Sequence, residues 1–148
     1  MRVLGLDLGT KTIGLAVSDE LGITAQGLAT LERRSLKKDL EALAAKVEDY
    51  GVERFVIGLP LNMDGSEGPR AEATRKFGTA LEQATSRPVS YWDERLTTVA
   101  AHRSLSVADV SGRKRKEVID QVAAMLILQG WLDSQRPLQS PALDDSED

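Results

Sequence analysis

The amino-acid sequence predicts a single α/β domain in which a five-stranded mixed sheet carries helices on both faces. The chain has 148 residues, the length of one domain of ordinary size. Short apolar segments typical of strands alternate with longer segments whose apolar residues recur at the helical period. The first three strand-like segments are joined by connections too short to contain a helix, which predicts an antiparallel meander.

The first third of the chain supplies the meander and one helix. An almost continuous apolar run predicts a central strand over Val3–Leu8, because strands buried on both faces show no polar alternation. Further strands are predicted over Thr12–Ser18 and Thr24–Leu31. Apolar residues on one stripe then predict a helix over Ser35–Tyr50.

Two strands that alternate with helices follow the meander. The apolar run R-F-V-I-G-L predicts a buried strand over Arg54–Leu59, and Leu61–Gly68 is a predicted loop. Pro69 suits the first turn of a helix that we expect to reach about Ala84. A short strand is predicted over Pro88–Trp92.

The last part of the chain predicts two more helices. One begins near Thr97 or Thr98, either of which suits the N-cap position. The segment Ser106–Lys116 contains a glycine and four consecutive basic residues, which favours a mobile connector, and Lys116–Leu132 is a predicted helix. The resulting order, β-β-β-α-β-α-β-α, is the topology of an RNase H-like fold.

The domain is predicted to span residues 1–132, and residues 133–148 are predicted to form an acidic, disordered tail. The tail has too few apolar residues to fold alone. It also carries the whole net charge of −4, so that the body of the protein is neutral on balance. The acidic pI of the chain is therefore no argument against a nucleic-acid partner.

Composition excludes several classes of site. The chain has no cysteine and one histidine, which excludes disulfides, thiolate nucleophiles, zinc fingers and multi-histidine metal sites. Aromatic residues make up 4% of the chain, which disfavours a platform for stacking bases. No apolar segment is long enough to cross a bilayer and no signal-peptide pattern is present, so we expect a cytoplasmic protein without a membrane partner.

Three acidic residues lie within or beside apolar segments or at a predicted strand end, which makes them candidates for a functional site. Asp7 interrupts the apolar run V-L-G-L-D-L-G, where an unpaired charge is costly, although an aspartate that stabilises the following turn would also fit. Glu94 lies in W-D-E-R-L-T-T, at the strand end where open α/β sheets bind ligands. Asp120 precedes the apolar run V-A-A-M-L-I-L. For Glu94 and Asp120 the alternative is a structural role, because an acidic side chain is stabilised by the positive N-terminal end of a helix.

Asp7, Glu94 and Asp120 converge in one crevice if the first strand lies centrally beside the Arg54 strand. Carboxylates about 4 Å apart repel by roughly 4 kcal/mol per pair at an effective dielectric constant of about 20. Divalent cations remove this conflict, and oxygen ligands with room for water favour Mg²⁺ or Mn²⁺. Two such ions support hydrolysis of a phosphodiester without a histidine base.

Four ordered motifs resemble the YqgF/RuvX family of RuvC-like nucleases, described as pre-16S rRNA nucleases or Holliday junction resolvase-like proteins. The matching segments span residues 3 to about 132. They are D-L-G-T-K-T-I-G-L-A-V-S-D from Asp7, V-I-G-L-P-L-N-M-D-G-S-E-G-P-R-A from Val56, D-E-R-L-T-T from Asp93 and K-x-x-x-D-Q-V-A-A-x-x-I-L-Q from Lys116. The resemblance implies an RNase H-like fold, with catalytic and metal-binding roles for Asp7, Glu94 and Asp120.

Related nucleases often have a fourth acid, and Glu117 stands one helical turn before Asp120. An exposed first-turn acid is the simpler interpretation of Glu117, so it is left out of the predicted site. Basic and polar residues near the same sheet edge are candidates for substrate binding, with turn formation or a solvated charge run as the alternatives. These candidates are Lys11, Asn62, Arg70, Arg95, Arg113, Lys114, Arg115 and Lys116.

The leading functional hypothesis is a metal-dependent nuclease that acts on structured RNA, as the resemblance implies for 16S rRNA 5′-end maturation. A DNA junction resolvase is the first alternative, because the same metal chemistry cleaves either backbone. A non-catalytic nucleic-acid-binding module is the second. Actin-like and sugar-kinase ATPases share a D-x-G-T turn, but they close two domains around ATP and this chain has length for one. A homodimer is also possible.

Overall fold

The computed structural model describes residues 1–96 and 112–136. The helix predicted near Thr97, part of the predicted connector and most of the predicted tail lie outside the described residues. The described elements run in the predicted order. They are β1 (Arg2–Leu8), β2 (Thr12–Ser18), β3 (Ala25–Glu32), α1 (Leu36–Tyr50), β4 (Val52–Leu59), α2 (Pro69–Thr85), β5 (Val89–Asp93), a 3₁₀ turn (Glu94–Leu96) and α3 (Gly112–Gln135).

The five strands form one mixed sheet in the order β3-β2-β1-β4-β5. β1 pairs antiparallel with β2 and β2 antiparallel with β3, which confirms the predicted meander. β4 pairs parallel with β1 and with β5. The first strand is therefore central, and the carboxyl ends of β1, β4 and β5 meet at one edge of the sheet.

The two faces of the sheet have separate cores. α1 and α2 cover the face to which Leu4 and Leu6 of β1 point, together with Leu43 of α1 and Phe77 of α2. α3 covers the opposite face, where Val3 packs with a second set of side chains from the helix. Successive residues of β1 point to opposite faces, so Gly5 and Asp7 lie on the same face as Val3. Asp7 is thereby directed toward α3.

The ends of the first two helices follow from local sequence. Ser35 caps α1 by accepting a hydrogen bond from the backbone N–H of Lys38 at 3.2 Å. Gly51 ends the same helix with φ 67°, a conformation that glycine adopts without strain. Pro69 occupies the first turn of α2, where its missing N–H is not needed.

The final helix is longer than the sequence predicted. α3 begins at Gly112 and ends at Gln135, whereas the predicted helix spanned Lys116–Leu132. The basic run Arg113–Lys116 is therefore helical, and its interpretation as part of a mobile connector is wrong. Arginine and lysine have high helix propensity, which outweighs the turn signal of the preceding glycine. The last turn of α3 likewise includes the first residues of the segment predicted as tail.

None of the described helices combines the length and the hydropathy that a membrane-spanning segment requires. α3 has 24 residues, but charged residues occupy its first turn and its carboxyl end. Its apolar residues serve instead as the core between helix and sheet.

Substitution of Gly5 by alanine should destabilise the protein by about 1 to 3 kcal/mol, the typical effect of overpacking a core. A Cβ atom at Gly5 would lie 2.7 Å from Leu128 Cβ and 3.3 Å from the carbonyl oxygen of Ala124, neither of which can move freely. Urea unfolding of Gly5→Ala measures the effect. Gly27→Ala is the matched control, because its Cβ would meet the flexible end of Met125 at 3.2 Å. Equal stability of the two variants would contradict this packing.

Candidate active site at the carboxyl edge of the sheet

Asp7 is the central acid of the candidate site. It is 7% exposed and lies near the carboxyl end of β1, on the face covered by α3. Its Cα is paired with that of Gly14 in β2. On the other side, Leu6 is paired with Ile57, so the next residue of β4, Gly58, lies beside Asp7. Glycines thus flank this aspartate on both neighbouring strands, so that groups from other elements can pack closely beside it.

α3 places Asp120 over the first of these glycines. A Cβ atom at Gly14 would stand 2.3 Å from the carbonyl oxygen of Asp120 and 3.3 Å from its Cβ. Helix and sheet therefore touch at this point through backbone. The side chain of Asp120 is fixed by Thr12, whose hydroxyl donates a hydrogen bond of 2.8 Å to Asp120 Oδ2. Asp120 and Asp7 consequently share one face and one edge of the sheet.

Glu94 reaches the same edge from the other side. It begins the 3₁₀ turn directly after β5. Its Oε2 atom lies 2.7 Å from the position that a Cβ at Gly58 would occupy. The carboxylate therefore extends from β5 across β4 toward β1. The absence of a side chain at Gly58 is what allows this approach.

The structure places the three predicted acids at the same edge of the sheet, as the sheet-edge argument required. They are not already gathered into a ligand cluster: among the described residues, no three or more His, Cys, Asp or Glu side chains form a group that could hold a metal ion. The donor set still suits a hard cation, because it consists of carboxylate oxygens beside a threonine hydroxyl. Gly14 and Gly58 allow the other two acids to lie close to the sheet on either side of Asp7.

The guanidinium of Arg95, predicted to bind substrate, is bonded to other groups of the protein. Its side chain forms a forked ion pair with Asp93, with Nη2 2.8 Å from Oδ2 and Nε 3.1 Å from Oδ1. Its Nη1 donates to the carbonyl oxygen of Met63 at 3.1 Å. Hydrogen bonds from the Arg95 side chain hold the pKa of Asp93 below its ordinary value, against the opposing effect of burial.

The loop 61–68 between β4 and α2 is closed by its own hydrogen bonds. The side-chain amide of Asn62 donates to Ser66 Oγ at 2.9 Å, and the backbone N–H of Gly65 donates to the carbonyl oxygen of Asn62 at 2.9 Å. Asp64 accepts from the hydroxyl and the backbone N–H of Ser66, and these bonds lower its pKa. Asn62, predicted to bind substrate, therefore has a clear role in shaping this loop.

The remaining predicted substrate residues are surface positions or lie where side chains are not described. Lys11 is exposed in the turn between β1 and β2, near the end of the strand that carries Asp7. Arg70 is exposed in the first turn of α2. The four basic residues from Arg113 to Lys116 lie on the first turn of α3, upstream of Asp120. Glu117 lies on the same helix.

Two supporting residues were missed by the sequence analysis. Thr12 carries no motif beyond its place at the start of a strand, although its position two residues before Gly14 puts it on the same face. Arg33 lies under the turn that follows Asp7, where its Nη1 donates to the carbonyl oxygen of Gly9 at 2.8 Å. It also pairs with the buried Asp39, with Nε 3.5 Å from Oδ2. No local pattern signals the contact of Arg33 with Gly9, 24 residues earlier in the chain.

The antiparallel meander β1-β2-β3 on one side of the sheet and the parallel β4 and β5 on the other define an RNase H-like fold. The chain belongs to the RuvX family, whose description is Holliday junction resolvase and whose model matches residues 1–134. The fold and family expected from the four motifs are therefore confirmed.

Two curated relatives carry the name "Putative pre-16S rRNA nuclease". The relative from Myxococcus xanthus is 65% identical over 137 residues, which cover 93% of this chain and 91% of the relative. The relative from Bacillus subtilis is 53% identical over 136 residues, covering 90% of this chain and 99% of the relative. Identity at this level extends over nearly the whole of both chains.

Solved structures agree on the fold. Thermus thermophilus RuvC, in a complex with a Holliday junction substrate, has a TM-score of 0.59 at 12% identity, covering 91% of this chain and 95% of RuvC. The Holliday junction resolvase of fowlpox virus has a TM-score of 0.52 at 14% identity, covering 90% of this chain and 99% of the viral chain. At such low identity these likenesses establish architecture alone.

The ion pair at the edge of the site predicts a pH effect. Because the pKa of Asp93 is lowered in the folded protein, its contribution to stability is full above the ordinary aspartate pKa and is lost as pH falls through the lowered value. The difference in free energy of unfolding between the wild type and Asp93→Asn should therefore shrink as the solution is acidified below about pH 4. Denaturant unfolding at several pH values measures it. A difference that grows toward acid would contradict the assignment.

Proposed function

We propose that this protein is a divalent-metal-dependent nuclease that cleaves structured RNA, acting in the cytoplasm in maturation of the 5′ end of 16S rRNA. The observation that carries the proposal is the placement of Asp7, Glu94 and Asp120 at one edge of an RNase H-like sheet. The names of the curated relatives support RNA as the substrate class.

Asp7, Glu94 and Asp120 are the residues proposed to hold Mg²⁺ or Mn²⁺, with two ions as the expected number. Their oxygens match the preference of these cations, and the missing side chains at Gly14 and Gly58 let Asp120 and Glu94 approach the strand that carries Asp7. When bound, the ions supply activation of water and stabilisation of the leaving oxygen in an in-line displacement. The chain itself contributes the fixed orientation of the carboxylates.

Each acid is oriented by a different part of the fold. Asp7 is held by its place in a central strand, with both neighbouring strands paired to β1. The Thr12 hydroxyl fixes one oxygen of Asp120, and the other oxygen, which has no hydrogen bond to the described part of the chain, is proposed to bind the metal. Asp7 is also buried on the face of the sheet that α3 covers. An orientation set before the substrate arrives is the protein's main contribution in this kind of site.

Basic residues around the edge are proposed to hold the nucleic-acid backbone. Lys11 and Arg70 are exposed on the loops and helix start that border the site. The basic first turn of α3 lies on the helix that also carries Asp120. Contacts of this kind neutralise phosphates without reading sequence, so recognition of the substrate would rest on its shape.

Branched DNA is the alternative substrate. The family description and the solved structure of RuvC with a Holliday junction both favour it. The carboxylate chemistry is the same for both backbones, and selection of RNA depends on contacts to the 2′-hydroxyl or to shape. Homodimerisation, which a two-fold junction substrate would favour, stays a prediction that light scattering tests.

Cleavage of a labelled precursor-like RNA and of a four-way DNA junction, each with Mg²⁺ or Mn²⁺, tests the proposal. The wild type should cut the RNA in the presence of metal, and Asp7→Asn should reduce the rate by at least about 100-fold, because it removes charge from the central ligand at nearly constant shape. Exclusive cutting of the DNA junction would replace RNA by DNA as the substrate.

Asp49→Asn is the matched control, since this acid lies at the end of α1, on the other face of the sheet. Circular dichroism of both variants checks that they fold. Equal cleavage by the wild type and folded Asp7→Asn would overturn the carboxylate site. Absence of any cutting by the wild type would favour the non-catalytic binding module.

A further inference from the structure

Arg95 joins three segments that border the candidate site: the end of β5, the 3₁₀ turn that carries Glu94, and the loop 61–68. We propose that Arg95, together with Asp93, is a positioning device that fixes Glu94 and this loop as one unit, in place of the substrate-binding role predicted from sequence. The inference rests on the proposed nuclease function for its kinetic arm, and on contacts within the chain for its structural arm.

The Asp93 carboxylate is bonded to both the backbone and the side chain of Arg95, the residue that follows Glu94. It accepts the backbone N–H of Arg95 at 2.9 Å and, through the same side chain, the forked guanidinium at 2.8 to 3.1 Å. Glu94 stands between these two residues in sequence, so its backbone is closed into a small ring of hydrogen bonds. The ring leaves the Glu94 side chain directed over Gly58.

The second contact of Arg95 reaches the tip of the loop. Nη1 donates to the carbonyl oxygen of Met63 at 3.1 Å. The guanidinium also lies against Gly65, where a Cβ atom would stand 3.5 Å from both Nη1 and Nη2 and where φ is 89°. The internal hydrogen bonds of the loop make its tip one rigid turn. Movement of that turn would therefore break its link to the residue after Glu94.

Charge balance also argues against a free cation at Arg95. The positive charge of Arg95 is compensated by Asp93 at ion-pair distance. Asp64 is a second negative charge nearby: hydrogen bonds from Ser66 are the main cause of its lowered pKa, and the charge of Arg95 lowers that pKa to a smaller degree. A phosphate would have to compete with the Asp93 carboxylate, which already accepts two hydrogen bonds from the guanidinium in the bidentate arrangement. Lys11 and Arg70 are exposed and form no ion pair within the described part of the chain.

Three variants test the device: Arg95→Lys, Arg95→Gln and Asp93→Asn. Each should lower kcat by roughly 10- to 100-fold while KM changes less than about twofold, because a small misplacement of a reacting group is costly while substrate contacts remain. Lysine should rescue little, since an ammonium cannot fork between the carboxylate and the Met63 carbonyl. The double variant Asp93→Asn with Arg95→Gln should be no slower than either single variant.

Salt dependence separates positioning from phosphate binding. A phosphate contact by Arg95 would reduce the slope of log K against log salt concentration by about 0.7 to 0.9 in Arg95→Gln, and removal of the Asp93 charge would tighten binding. If Arg95 has a positioning role, Arg95→Gln should have the same slope of log K against log salt concentration as the wild type, and Asp93→Asn should have a lower kcat. A reduced slope with unchanged kcat would overturn the proposal.

Hydrogen exchange provides a readout that needs no nuclease activity. In Arg95→Gln the amide of Gly65, bonded to the Asn62 carbonyl, should exchange at least about tenfold faster than in the wild type. Arg136→Gln is the control, because it breaks an exposed ion pair with Asp133 at the far end of α3. Unchanged exchange at Gly65 would overturn the device. If the wild type cuts nothing, the proposed function fails while this arm still decides the structural claim.

Discussion

Close contact between α3 and the sheet is the constraint on which the site depends. The contact is possible because the sheet offers glycines on that face: Gly5 meets Leu128, Gly14 meets the backbone of Asp120, and Gly58 meets Ile127. The facing side of the helix also carries small residues: Ala123 is 1% exposed and Ala124 is 0% exposed. A methyl group at any of these glycines would push the helix outward, and Asp120 would move with it.

The same glycines explain how three acids fit around a buried strand. Side chains at Gly14 and Gly58 would fill the space beside Asp7 and would exclude the other two carboxylates. The like charges that result are unfavourable by themselves, and each acid is restrained separately, Asp120 by Thr12 and Glu94 by the ring that Asp93 and Arg95 close around it. A divalent cation would convert this repulsion into binding free energy.

The sequence predicted the elements well because their signals are local. Continuous apolar runs predicted β1 and β4, and the short connections predicted the meander. Asp7 was singled out because it interrupts an apolar run, and Glu94 and Asp120 because one stands at a strand end and the other just before an apolar run. Long-range contacts were not predicted. The hydrogen bond from Thr12 to Asp120 joins residues 108 positions apart, and Arg95 bonds to Met63, 32 residues earlier. The helical start of α3 was missed since glycine and charge suggested a connector.

A titration of the full chain with Mn²⁺ in the absence of nucleic acid, followed by calorimetry, tests most directly whether Asp7, Glu94 and Asp120 form a metal site. The wild type should bind about two ions, Asp120→Asn should bind at least about tenfold more weakly, and Asp133→Asn, at the exposed far end of the same helix, should bind like the wild type. Undiminished binding by folded Asp120→Asn, or no binding by the wild type, would contradict the account.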